Sequence, residues 1–259
     1  MLTSTYLHTP GVGAATERSI WRQGARTWDD FLDRSSSLGL GPARRAAVCE
    51  TVDRSRDALA AGSPSFFARA LPRREHWRAL TAFDNTAYVD IETDGGAGPE
   101  SITVIGLYDG FDYRCYLYGR DLDRFERDCA GYDCFVTFCG ATFDLPVLAT
   151  RFPRLADLFR SRIHVDLCPL YRRLGHKGGL KAIERAHGIP RTPETDGLSG
   201  YDAVRLWRVY TAGGRHAGDA LRLLIAYNRE DVVNLDLLVK KALPRLRAET
   251  GFDIADCES

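Results

Sequence analysis

The chain has 259 residues, enough for one large domain with a small appendage, and its 44% hydrophobic and 27% charged residues are those of a folded globular protein. No apolar run approaches the roughly 18 residues of a membrane span. No signal-like segment opens the sequence, and seven cysteines without a CxxC pair fit buried thiols in a reduced cytoplasm better than a disulfide framework. Basic and acidic residues balance at 35 each, which argues against nucleic-acid binding by bulk charge alone. The distribution is uneven: residues 1–80 carry 12 Arg against 8 acids, and the remainder 23 basic against 27 acidic residues. That acidic excess fits either a solvated surface or a site whose field is reversed by bound divalent cations.

Residues 1–80 read as an Arg-rich helical segment. Its opening, TYLHTPGVGAATERSIWRQGARTWDDFL, resembles a helix-hairpin-helix element with Pro10-Gly11-Val12-Gly13 as the hairpin. The resemblance implies that Gly11 and Gly13 let backbone amides approach a phosphate of duplex at the start of the next helix. Glu17 stands where a basic residue would help, and Ile20, Trp21, Trp28 and Phe31 serve equally well for packing alone.

From 84 to 245 the pattern is α/β. Strand-like runs fall at 86–92, 101–108, 112–118, 134–139 and 163–167, with turn residues at Gly95 to Pro99 and at Asp109-Gly110. Helical signals cover 121–130, 144–151, 178–187, 201–212 and 217–242, the last with Leu221, Leu224, Ile225, Val232, Leu235 and Leu238 recurring at three and four. Three successive strands followed by alternating strands and helices predict a mixed five-stranded sheet flanked by helices. Residues 246–259 read as a polar tail.

Three acidic signals lie in this segment. Asp90 and Glu92, two apart on the first strand, project to one face, where the pair fits a shared metal or a solvated strand end. Asp144 follows Gly140 at the exit from the fourth strand, with Pro146 in the first helical turn, and fits a ligand or a first-turn acid. Tyr227 and Asp231, four apart on the last helix, share a face, where a core tyrosine beside a surface acid is the other reading.

Their order, Asp-x-Glu on strand one, Phe-Asp after strand four and Tyr-x-x-x-Asp on the final helix, resembles the three motifs of the DEDD exonucleases in their tyrosine-containing branch. That branch includes the proofreading domains of family B DNA polymerases. IHVDL at 163–167, GGLKAIERAHGI at 178–189, YDAVRLW at 201–207 and YNREDVVNL at 227–235 extend the resemblance to the YprB-type RNase H-like proteins over about 84–242. In that group similar segments precede the nuclease domain. The resemblance implies an RNase H-like fold and two-metal-ion 3′→5′ hydrolysis of single-stranded DNA or RNA with Mg²⁺ or Mn²⁺. Asp90, Glu92, Asp144 and Asp231 would hold two ions, and Tyr227 would position the attacking water.

Cys139 stands where the family motif usually has Asn, which puts substrate grip in question. With Phe143 and with Lys177 and Lys181, which flank a Gly-Gly pair opening a helix, it is a candidate substrate contact. A structure-specific endonuclease on the same site and a non-catalytic nucleic-acid-binding module are the alternatives.

Overall fold

A computed structural model describes residues 1–253; residues 254–259, which contain Cys257 and the end of the expected polar tail, lie outside the described residues. Five strands form one mixed sheet: β1 (Thr86–Thr93), β2 (Ile102–Tyr108), β3 (Tyr113–Leu117), β4 (Cys134–Thr137) and β5 (Ile163–Asp166), in spatial order β3-β2-β1-β4-β5. The first three pair antiparallel, and β4 and β5 add in parallel beside β1. Parallel pairing requires crossovers, which are supplied by α5 (Arg124–Asp128), α6 (Asp144–Arg151) and α7 (Pro153–Ser161). This is the expected α/β architecture, an RNase H-like mixed sheet flanked by helices.

The period-two alternation of β1 assigns its faces. Ala87, Val89 and Ile91 pack with Phe125, Leu148 and Leu155 of the crossover helices. Tyr88, Asp90 and Glu92 face the other way, toward the 33-residue helix α11 (Ala217–Glu249), which lies across β1 to β4. The Tyr88 hydroxyl donates to Asp236 Oδ1 of that helix at 2.9 Å, fixing the rotational setting of α11 over the strand. The remaining helices are α8 (Leu167–Arg173), α9 (Leu180–Ala186) and α10 (Gly200–Ala212), the last opened by a Ser199/Asp202 capping box.

Several elements differ from the expectation. Helix α11 does not end at 242 but runs to Glu249, because Leu238, Ala242 and Leu246 continue its buried stripe, so the chain from 246 to 249 is helical rather than tail. Strand β5 stops at Asp166, whose side chain accepts from the Cys168 amide and caps α8. Helices α7 and α8 add to the expected helices, with Pro153 in the first turn of α7.

The N-terminal segment contributes α1 (Ala14–Arg22), α2 (Trp28–Arg34), α3 (Pro42–Ala60) and α4 (Pro64–Ala70). A helix follows the Pro10–Gly13 turn, but only a 3-10 turn, Leu2–Ser4, precedes it. The carbonyls of Ser4 and Thr5 accept instead from the indoles of Trp21 and Trp28, at 2.7 and 2.8 Å. The segment shares a hydrophobic core with the sheet domain: Trp21, Phe31, Phe67 and Trp77 belong to one cluster with Leu170, Leu238 and Leu246. Glu17 is buried rather than presented to a ligand. It accepts from Thr5 Oγ1 at 2.6 Å and the Tyr6 amide at 2.8 Å, and pairs with buried Arg78 at 3.2 Å. Of the cysteines, Cys129, Cys134 and Cys168 are buried, and Cys49, Cys115 and Cys139 are half-buried free thiols.

Removing one partner of a buried ion pair leaves the other charge uncompensated, at a cost of about 3–5 kcal/mol. Glu17→Ala should therefore lower the urea unfolding free energy by about that amount. A change below about 1 kcal/mol would show that the segment is not anchored through Arg78.

Candidate metal centre

Strand β1 and helix α11 bring three carboxylates together. Asp90, Glu92 and Asp231 each offer an oxygen, and these atoms lie within 4.8 Å of one another. Such a cluster in a half-buried cleft is repulsive without a counter-charge. Burial, then Asp144 and Asp231, drives the Asp90 carboxyl well above the ordinary carboxylate range; burial and Asp231 do the same to Glu92. Burial also raises Asp231, although Arg191 pulls it back. Glu92 Oε1 is buried with no hydrogen-bond partner among the described residues. A hard divalent cation such as Mg²⁺ or Mn²⁺ fits this all-oxygen donor set and would give that oxygen its partner.

Asp144, the first residue of α6, approaches from the opposite side. Its Oδ1 accepts from the Ile91 amide at 3.1 Å, between the two acids of β1, and burial pushes its carboxyl up to about 7. It stands outside the three-oxygen group. The turn that delivers it needs Gly140, because a Cβ there would lie 2.4 Å from the Thr137 side chain.

Tyr227 lies one turn before Asp231 and lines the same cleft as Asp90, Asp231, Phe138 and Lys181. Its hydroxyl accepts from Lys181 Nζ at 3.0 Å. Burial and the neighbouring carboxylates Asp231, Glu92 and Asp90 raise it far above an ordinary phenol, so it stays protonated at neutral pH.

The other candidate contacts scatter. Lys177 is exposed and outside the lining of the cleft. Phe143, at the N-cap of α6, is 38% exposed, and it and Cys139 are likewise outside that lining. Cys139 is the only non-glycine residue of the described chain with positive φ, at 62°, and its amide donates to Asp166 Oδ1 at 2.8 Å. Burial and the adjacent Cys168 thiol push its own thiol up to about 12, which leaves it protonated. Gly11 and Gly13 lie on the exposed turn ahead of α1, away from this cleft.

Five residues around the centre are not among the candidate site residues, although Glu184, Asn228 and Asn234 fall within runs that carry the family resemblance. Asn228 Nδ2 donates to Asp90 Oδ2 at 3.1 Å, while its Oδ1 accepts from the Tyr113 hydroxyl at 3.0 Å. Gly106 pairs with Asp90 across β1 and β2, and a Cβ there would come within 2.0 Å of Asn228 Oδ1, so only glycine admits the amide. Its one trace is a lone glycine in the apolar run ITVIGLY. Arg191, whose side chain is 2% exposed, binds both oxygens of Glu184 at 2.7 Å and also donates to Asp231 Oδ1. Glu184 in turn accepts from Asn234 of α11 at 2.9 Å. Arg191 follows Pro190 in a loop, and nothing in its local sequence marks it.

A mixed sheet carries on its central strand an acidic cluster that could hold a metal ion. The family model described as the RNase H superfamily matches residues 87–243, from β1 into α11, and the chain belongs to that superfamily. Comparison with curated proteins finds no match.

Removing one like charge should stabilise the metal-free protein and abolish its response to metal. Asp90→Asn is expected to raise the metal-free melting temperature by a few degrees. Mn²⁺ should raise that of the native protein but not the variant. A destabilised variant, or one that still responds to Mn²⁺, would contradict the assignment. At Cys139, asparagine tolerates positive φ better than cysteine. Cys139→Asn should therefore gain about 0.5–1 kcal/mol in urea unfolding, and a loss would argue against backbone strain there.

Proposed function

We propose that the chain is a 3′→5′ exonuclease acting on single-stranded DNA or RNA. The reading assigns it to the tyrosine-containing DEDD branch, of the YprB type, acting in the cytoplasm with two Mg²⁺ or Mn²⁺ ions. The observation that carries it is the group of Asp90, Glu92 and Asp231 oxygens within 4.8 Å, together with a buried, unpartnered Glu92 oxygen, on an RNase H-superfamily fold. Cations held there supply charge that stabilises the phosphorus oxygens and the leaving 3′-oxygen.

The protein groups then have separate roles. Asp90, Glu92 and Asp231 are the direct ligands, with Asp144 acting from the far side of β1. Asn228 holds one Asp90 oxygen and Arg191 one Asp231 oxygen, leaving the other oxygen of each for a cation. A phenol keeps its proton at neutral pH, so Tyr227 orients the attacking water rather than acting as its base. Lys181, beside the Tyr227 hydroxyl, meets the scissile phosphate. In this reading residues 84–245 form the catalytic unit. Residues 1–80 are a substrate-holding appendage whose helix-hairpin-helix-like turn, with Gly11 and Gly13 exposed ahead of α1, contacts adjacent duplex.

A 5′-labelled single-stranded oligonucleotide in Mn²⁺ should be shortened one nucleotide at a time from its 3′ end, while a closed single-stranded circle remains intact. Asp90→Asn should lower kcat by at least about 10³-fold; Tyr227→Phe should lower kcat about 10- to 100-fold with little change in KM. Cleavage of the circle would establish an endonuclease instead. Undiminished hydrolysis by Asp90→Asn would remove the proposed centre altogether.

A further inference from the structure

At the β5 edge of the sheet three hollows border the N-terminal segment, two of them facing the crossover helix α7 and one facing β5 and α8, and Arg73 lines all of them. Arg69, Arg154 and Arg160 join Arg73 around one, and Arg160 and Arg162 around the next. In a chain with no net charge this is a local concentration of guanidinium groups. The nearby acids neutralise it only in part. Asp157 pairs with Arg160, and Glu75 with Arg173 and Arg74. Asp166 is occupied by the backbone amides of Cys139, Ala141 and Cys168. Among the described residues Arg69, Arg73 and Arg154 have no carboxylate partner at ion-pair distance, and all three are exposed.

The groove is joined to the metal centre through the chain. Ala141, which lines two of the hollows, belongs to the turn between β4 and α6 that delivers Asp144. Strand β5 is two strands from β1, about 10 Å at the usual spacing of roughly 4.8 Å. A strand leaving the cleft at Asp90 would pass Ala141, beyond the carboxyl end of β4, and follow the first hollow along β5 to Arg160 and Arg162, which precede that strand. Exposed, planar guanidinium groups are suited to phosphate oxygens in two-pronged contacts.

We propose that this arginine-walled groove binds the phosphodiester backbone of the single strand whose 3′ end occupies the metal centre, gripping it on the 5′ side. This rests on the nuclease reading and makes the N-terminal segment part of the binding surface, with Arg69 and Arg73 as one wall and Arg154 and Arg160 as the other. Contacts to backbone phosphates select for strand length, not sequence.

The test compares fluorescein-labelled dT20 and dT3 by anisotropy, with hydrolysis of dT20 in Mn²⁺ followed separately. Failure of dT20 hydrolysis by the native protein counts against the nuclease reading, whereas the anisotropy result bears on the groove whether or not turnover occurs. The double variant Arg73→Gln/Arg154→Gln should bind dT20 about tenfold more weakly and lose most of the preference for dT20 over dT3. The slope of log Kd against log salt should shrink by about 1.4, the share of two single-strand phosphate contacts. The control Arg120→Gln/Arg127→Gln removes the same charge near the other sheet edge and should leave dT20 affinity within twofold. Unchanged dT20 binding in the groove variant, or an equal loss in the control, would overturn the proposal.

Discussion

Mutual repulsion among carboxylates on a half-buried central strand is the constraint around which this molecule is arranged. Asp90 and Glu92 face a packed helix, Asp231 meets them from that helix, and Asp144 closes in from the other layer. Burial and proximity both raise the cost of ionising them. The fold answers locally with Asn228 on Asp90, Arg191 on Asp231 and Lys181 beside Tyr227. It leaves one Glu92 oxygen buried with no protein partner. A site of this donor chemistry fits a divalent cation.

Rigid elements hold that arrangement. Alternation along β1 puts apolar residues on one face and acids on the other, and the Tyr88–Asp236 hydrogen bond keeps α11 in register above them. Gly106 on the neighbouring strand clears the space into which Asn228 reaches. The buried Arg191–Glu184–Asn234 network connects the metal centre to α9 and the middle of α11, so Asp231 is fixed by three elements at once. The N-terminal helices, through Trp21 and Phe67, share the core that supports the far half of α11, which makes them structural as well as a wall of the arginine groove.

Much of this is legible in the sequence because it rests on local periodicity. All five strands and the helices bearing the candidate acids follow from alternation, three-four spacing and turn residues, and so does the facing of Asp90 with Glu92 and of Tyr227 with Asp231. What escapes a reading of the sequence depends on contacts distant along the chain. Asn228 matters only because Gly106 lies beneath it, and Arg191 only because a loop returns it to Asp231. The end of α11 is hidden because Leu246 looks isolated among charged residues until its partners in the N-terminal segment are known. Glu17 looks like a misplaced ligand contact because its partner, Arg78, is 61 residues away.

Whether Asp90, Glu92 and Asp231 together hold a divalent cation is tested most directly by anomalous diffraction from crystals soaked in Mn²⁺. The expected result is an anomalous peak among these three carboxylates, with Glu92 Oε1 in its coordination shell. A peak elsewhere, or none at saturating Mn²⁺, would contradict the assignment of this cluster as the metal centre.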